Sequence, residues 1–202
     1  MRTVFVLAGI CVLAFVLQQA VPGFTDAFLL VSANAVQRPW TLVTAIFLHA
    51  DIVHLLYNMF ALVLFGMILE HIIGKKRFLA IFFASGLLAS IASLFLYRAA
   101  LGASGAIFGV LGALALLRPR MQVWVSYIPM PMIVACAVWA ISDFVGLFVP
   151  SGTANLAHLV GLGFGIGVGF YLRNDFAERA DGREILHIDD KEFDDWEKKW
   201  MK

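Results

Sequence analysis

Polar positions in residues 1–173 are sparse and clustered, and between them run long apolar stretches. An uninterrupted apolar run of about twenty residues points to a helix crossing a bilayer, because only a helix satisfies its own backbone in hydrocarbon. The pattern predicts six such spans: Thr3 to Ala20, Ile52 to Ile73, Phe78 to Leu96, Ser104 to Leu117, Met132 to Val149 and Ala154 to Leu172. The segment from Val21 to Asp51 is too long and too apolar for a simple turn, with Phe24, Phe28, Leu29, Leu30 and Trp40 among its polar residues. It is expected to lie in the membrane interface. The architecture that follows is an all-α membrane protein, a six-helix body over 1–173 with an interfacial first loop and a polar tail over 174–202. That tail mixes both charge signs and carries Phe193, Trp196 and Trp200 at helical spacing. It reads either as a solvated cytoplasmic tail or as a short amphipathic helix.

Composition agrees with lipid as the solvent: 61% of the 202 residues are hydrophobic, 14% are charged, and the mean hydropathy is +0.87. Apart from Asp26, Asp51, Glu70 and Asp143, every acidic residue follows Arg173, so the net charge of +1 hides an apolar body and a charged tail. Nothing in it points to a nucleic-acid partner. Cys11 and Cys136 each sit inside an apolar run, where a thiol packs as a small hydrophobe and no disulfide framework can be read. Arg2 before the first apolar run has the look of a signal peptide, but no small-x-small cleavage pattern follows Gln18 and Gln19, so an uncleaved anchor is expected. Arg2, Lys75, Lys76, Arg77, Arg118, Arg120 and Arg173 fall on one side of the spans and Arg38 and Arg98 on the other. The positive-inside rule then makes this a multi-pass protein, expected in the cell membrane, with both termini cytoplasmic. The second, fourth and sixth helices start at the outer face.

Three of those outer ends carry chemistry. Only about fourteen residues separate Ser104 from Arg118, and at 1.5 Å each they make roughly 21 Å against a hydrocarbon core of about 30 Å. Ser104 should therefore lie below the surface, preceded by Gly- and Ala-rich backbone that is tolerated at such depth only beside protein or a watery cavity. A serine at a helix N-terminus has free N–H groups and the positive dipole end beside it, where an oxyanion would be stabilised. By itself Gly102-Ala103-Ser104-Gly105 is equally a packing surface, since Gly105, Gly109 and Gly112 form a stripe of the kind that joins membrane helices. His158, one turn into the sixth span, changes that balance, because an ionisable group inside a span is expensive. It shares a face with Gly161, Gly165 and Gly169, so two glycine-lined helices could bring it within reach of Ser104 as its base. His54 and Asn58, four apart on the second helix, could either hold an oxyanion with the Ser104 N–H or simply bond neighbouring helices.

Taken together these residues resemble the rhomboid family of intramembrane serine proteases over essentially the whole six-helix body. Gly102-Ala103-Ser104-Gly105 looks like its nucleophile motif and Ala157-His158-Leu159-Val160-Gly161 with Gly165 like its base motif. His49, His54 and Asn58 are similar to its His-x4-His-x3-Asn pattern, and Glu70, Asp143 and Asn155 also match family positions, taken here as structural. The resemblance implies a rhomboid-like bundle, a Ser-His dyad with no carboxylate third member, no metal and no cofactor, and cleavage of single-span membrane proteins near their outer ends. Thr41 stands after Trp40 where many members carry Arg, so the loop could pack differently, and Phe108 replaces a frequent Tyr. Phe108 can still stack on His158 and, without an acidic partner, orient the base. Three rivals remain: an inactive relative that binds or escorts membrane proteins, a transporter or channel using Asp143, His158 and His54, and a metalloprotease, whose His-Glu-x-x-His is absent.

Overall fold

The structure, a computed structural model, describes residues 3–125, 127–149 and 152–180, the last four of them by backbone only. The tail beyond Ala180, with Phe193, Trp196 and Trp200, and also Arg2, lie outside the described residues. The chain forms α1 (Thr3–Ala20), α2 (Phe24–Phe28), β1 (Leu30–Val31), α3 (Thr41–Thr44), α4 (Ile52–Ile73) and α5 (Lys75–Leu96). There follow β2 (Ala99–Ala100), α6 (Ser104–Leu117), β3 (Gln122–Val125), β4 (Ile128–Pro131), α7 (Met132–Gly146) and α8 (Asn155–Ala180). Four of these helices are long and apolar enough to cross a membrane, namely α1, α4, α5 and, over Asn155–Phe176, α8. Two shorter apolar helices, α6 and α7, complete the bundle.

Where the helices depart from the hydropathy boundaries, the reason is that hydropathy marks the bilayer and not the hydrogen-bonded helix. α5 begins at Lys75, because the three basic residues before Phe78 continue the helix into the polar zone. Gly74, with φ at 80°, reverses the chain between Ile73 and Lys75 in a single residue, a conformation a side chain would strain. α7 stops at Gly146, short of Val149, and α8 runs past Leu172 to Ala180. The connection between α6 and α7 folds as an antiparallel hairpin, β3 against β4, whose Val123 reaches the core. Cys11 and Cys136 are buried free thiols.

The first loop is held by its own small core of Leu30, Ala35 and Ala45. The Trp40 indole N–H donates to Ala27 O at 3.2 Å, Thr44 Oγ1 to Phe28 O at 2.9 Å, and the buried Thr41 Oγ1 to Arg38 O at 2.7 Å. Thr41 thus closes a turn within the loop, and Arg38 spans it by donating to Asp26 O at 2.9 Å. β1 pairs antiparallel with β2, Leu30 opposite Ala100 and Val31 opposite Ala99, which ties the loop to the segment entering α6. At the other end of the bundle the Glu70 carboxylate of α4 accepts from the N–H groups of Thr3 and Val4, at 2.9 and 3.2 Å. This caps two of the orphan donors of α1 with a negative charge at its positive end.

α6 and α8 are parallel and pack backbone against backbone. A methyl at Gly161 would run into the Gly105 carbonyl oxygen and one at Gly165 into that of Gly109, while one at Gly169 would lie 3.0 Å from Ala113 O. Steps of four on both helices keep this register for three turns. α5 closes the other side of α6, where a methyl at Gly105 would strike Ala89 Cβ. In lipid, where apolar surface gains nothing by leaving the solvent, such close backbone approach is a main source of helix association. Gly163, one face away, has open space where its side chain would be. Gly161→Ala is therefore expected to destabilise the protein by about 1–3 kcal/mol through overpacking, and Gly163→Ala to leave it unchanged, as read by thermal unfolding in detergent. Equal melting temperatures for the two variants would contradict the contact.

Candidate active site

Ser104 is the first residue of α6 and His158 the fourth of α8, so the parallel glycine contact puts both at the same end of the bundle. His158 Nε2 lies 2.8 Å from Ser104 Oγ, and the ring is buried. The backbone reaches Ser104 through Gly102, whose φ of 121° no other residue adopts comfortably and whose N–H donates to Ala45 O at 2.9 Å. A side chain at Gly102 would also stand 2.8 Å from His54 Cε1 and 3.0 Å from its Nε2. The His54 imidazole thus lies flush against the strand of backbone that delivers the serine.

Asp51 caps α4, its Oδ1 accepting from His54 N at 2.8 Å. The Ala50 N–H points at His54 Nδ1 across 3.5 Å, which leaves Nε2 as the ring nitrogen on the Gly102 side. Asn58 is buried one turn on, and its Nδ2 donates to His54 O at 2.8 Å. One amide N–H is used in this way and the amide carries a second. His49, the third member of the sequence pattern, is fully buried, edge-on to His54 with ring centroids 5.2 Å apart. Burial, reinforced by the neighbouring His54, pushes its pKa down to about 4, so it is neutral at pH 7. Its backbone, not its ring, is what the fold grips: Gln18 of α1 accepts from His49 N at 3.0 Å and donates to His49 O at 3.2 Å.

Two groups fix the His158 ring. The Phe108 ring, one turn after Ser104, lies parallel to the His158 imidazole, centroids 4.3 Å apart and planes within 8°. The second group corrects the expectation of a base without an acidic partner: Asp143 Oδ1 of α7 is 3.0 Å from His158 Nδ1, both side chains about nine-tenths buried. Fifteen residues and a helix break separate Asp143 from His158, a spacing that periodicity cannot translate into contact. The fold closes that gap through Asn155. Its buried side chain fills the space beside Gly146, where a Cβ would come within 2.6 Å of its Nδ2. The sequence did hold one signal, an ionisable residue inside an apolar span. Another element outside the motifs is Tyr97, whose hydroxyl accepts from Leu156 N at 3.0 Å and so holds the first turn of α8.

These residues open on a cavity of about 1000 Å³, lined by Ser104, His158, His54 and Asn58, with Phe65 and Trp139 also among its walls. Phe65 of α4 and Trp139 of α7 meet edge-on across it, centroids 6.2 Å apart. The arrangement is a hydroxyl in hydrogen-bond contact with an imidazole, beside the N-terminal N–H groups of α6 and the side chains of His54 and Asn58.

A family model described as the Rhomboid domain matches residues 36–175. The putative rhomboid protease YdcA of Bacillus subtilis is 34% identical over 126 residues, which are 61% of this chain and 62% of that one. The rhomboid protease GluP of the same organism is 41% identical over 111 residues, 51% of this chain and 22% of its own. RHOMBOID-like protein 6, mitochondrial, of Arabidopsis thaliana is 36% identical over 135 residues, 66% of this chain and 43% of its own. The chain thus spans less than two thirds of each of these relatives. The matched stretch contains His49, His54, Asn58, Ser104, Phe108, Asp143 and His158, and with more than half of its length matched to one domain this multi-pass integral membrane protein belongs to the rhomboid family.

Proposed function

We propose that the chain is an intramembrane serine endopeptidase that cleaves the transmembrane segments of single-span membrane proteins near their outer ends. The observation that carries this reading is the 2.8 Å contact of Ser104 Oγ with His158 Nε2 on a shared cavity. Ser104 Oγ attacks the scissile carbonyl carbon while His158 Nε2 takes its proton. The carbonyl oxygen, now negative, receives hydrogen bonds from the Ser104 N–H, His54 Nε2 and the second N–H of Asn58. The imidazolium then protonates the leaving amine, and the C–N bond breaks to give an acyl-serine. Water, losing a proton to the same imidazole, hydrolyses that ester and regenerates Ser104. An inactive escort protein would have no use for a serine and a histidine held in bonding distance.

Purified in detergent and given a model transmembrane substrate, the protein is expected to cleave it, and Ser104→Ala and His158→Ala each to lower turnover by more than about a thousandfold. A fluorophosphonate should label Ser104 alone, and not in the His158 variant. Survival of a tenth of wild-type turnover in either variant would overturn the assignment.

Asn58→Ala and His54→Ala are each expected to lower kcat by roughly ten- to a thousandfold, the upper figure being typical of a lost oxyanion donor. KM should move far less, because these bonds strengthen in the transition state. A rise in KM at constant kcat would instead make them substrate-binding residues.

The 14-residue α6 makes about 21 Å of helix and leaves Ser104 some 9 Å inside the hydrocarbon if its other end sits at the boundary. A substrate helix must unwind there to expose a carbonyl. Substrates with Gly or Pro near the outer end of their span should be cut faster, since these weaken a helix by about 1 and 3 kcal/mol. Mass-spectrometric mapping of cleavage in substrates whose Gly or Pro residues are changed to Leu checks this. Cutting confined to a soluble loop, at a rate indifferent to those changes, would refute the intramembrane site and leave the serine chemistry standing.

A further inference from the structure

We infer that Asp143 is the positioning residue of the base, so that the Ser104–His158 pair is set by a hydrogen-bonded Asp143–His158–Ser104 series. The inference rests on the serine-protease reading above and concerns how its base is set. Three observations on separate elements carry it.

The first is the bond itself. Asp143 Oδ1 and His158 Nδ1 are 3.0 Å apart, His158 Nε2 and Ser104 Oγ 2.8 Å, and both imidazole nitrogens are thereby engaged. A carboxylate only accepts, so the Nδ1 it faces must carry the ring proton. Nε2 is then the lone-pair nitrogen, the tautomer a general base needs when it faces a hydroxyl. When Nε2 takes the serine proton, the positive charge that forms lies next to the Asp143 carboxylate.

The second is what Phe108 leaves undone. Its ring, parallel to the imidazole at 4.3 Å, sets the plane of His158. Stacking is nearly indifferent to a half-turn of the imidazole within that plane and blind to which nitrogen is protonated, and a phenylalanine has no polar atom to add. The carboxylate resolves both ambiguities. Phe108 and Asp143 therefore impose different constraints, one on plane and one on rotation and tautomer.

The third is the register of α7 on α8. Asn155 fills the space beside Gly146 at the point where the chain turns from one helix to the other. Asp143 lies three residues before Gly146 and His158 three after Asn155, about one turn back along each of two helices joined in opposite directions. The Gly146–Asn155 contact thus carries the carboxylate to the imidazole. An apolar helix gains nothing from a buried aspartate at this position unless the group is partnered, since an unpaired charge there is strongly disfavoured.

The test uses the full chain in detergent or liposomes, a model transmembrane substrate, and active sites titrated with a fluorophosphonate so that turnover is counted per competent serine. Asp143→Asn and the similarly sized, apolar Asp143→Leu are both made, the second to suit an apolar helix should the first fail to fold. Each is expected to lower kcat by about 10²- to 10⁴-fold with KM nearly unchanged, and to slow fluorophosphonate labelling by a similar factor. Asp143→Glu should recover part of the loss. In a His158→Ala background, which fluorophosphonate does not label and which is therefore compared per mole of folded protein, Asp143→Asn should change the residual rate by less than about twofold, because Asp143 acts only through the imidazole. A purely structural aspartate would lower the melting temperature and the yield of competent enzyme while leaving kcat per titrated site intact. If kcat per site stays within threefold of wild type in the folded variants while Ser104→Ala is inactive, the positioning role is overturned and the serine-protease reading stands. If Ser104→Ala remains active, both fall.

Discussion

The contact between the backbones of α6 and α8 is the constraint on which the remainder of the structure depends. Gly161 against Gly105 and Gly165 against Gly109 leave no room for a side chain on α8, while α5 leaves none at Gly105 and Gly109, where a methyl would strike Ala89 and Ser85. Because the two helices are parallel and in register, the residues at their N-terminal ends are held at one depth and one separation. A hydrogen bond between a short serine side chain and an imidazole tolerates little variation in that separation, about half an ångström. Wider-spaced helices with larger residues at the seam could stay associated in lipid, but Ser104 and His158 would then not meet.

Around that pair the first loop performs a second, distinct task. α6 is short, so the chain entering it must run as irregular backbone, whose groups hydrocarbon cannot satisfy. The β1–β2 pairing, the Gly102 N–H bond to Ala45 O and the Ser32 hydroxyl bond to Tyr97 O, at 2.6 Å, supply the partners. The loop is thus folded protein lining the entrance to the site, held through its own side chains to its own carbonyls. Gln18 of α1 grips the backbone at His49 from the other side, and α1 is fastened at its far end by Glu70. A helix that adds nothing to the chemistry thereby fixes the entry to α4 and with it His54 and Asn58.

The polar groups of the site are mutually satisfied, which is how they can lie in an otherwise apolar bundle. Asp143 bonds His158, His158 bonds Ser104, Asn58 bonds the His54 carbonyl, and Asp51 caps the helix that carries both. A half-completed network would cost more than an apolar core. At this end of the bundle the N-termini of α4, α6 and α8 meet beside a large cavity, which offers donors and room.

Much of this was legible in the sequence because lipid imposes a strong rule on it. Apolar runs gave the helices nearly to their ends, and glycines at intervals of four, with a histidine on the same face and a serine heading a short span, marked the two helices that must touch. Those are local periodicities, and a helix converts them into faces without reference to the rest of the chain. The hairpin after α6, the pairing of β1 with β2 across some seventy residues, and the partnership of Asp143 with His158 were not legible in that way. Each depends on how one element turns back on another, through a contact such as Gly146 with Asn155 whose residues announce no particular chemistry. The sequence by itself determined which side chains share a helix face, since that follows from 3.6 residues per turn. Only the tertiary structure decided which faces meet, because that is set by steric fit between helices far apart in the chain, and it was this fit that placed a carboxylate behind the His158 imidazole.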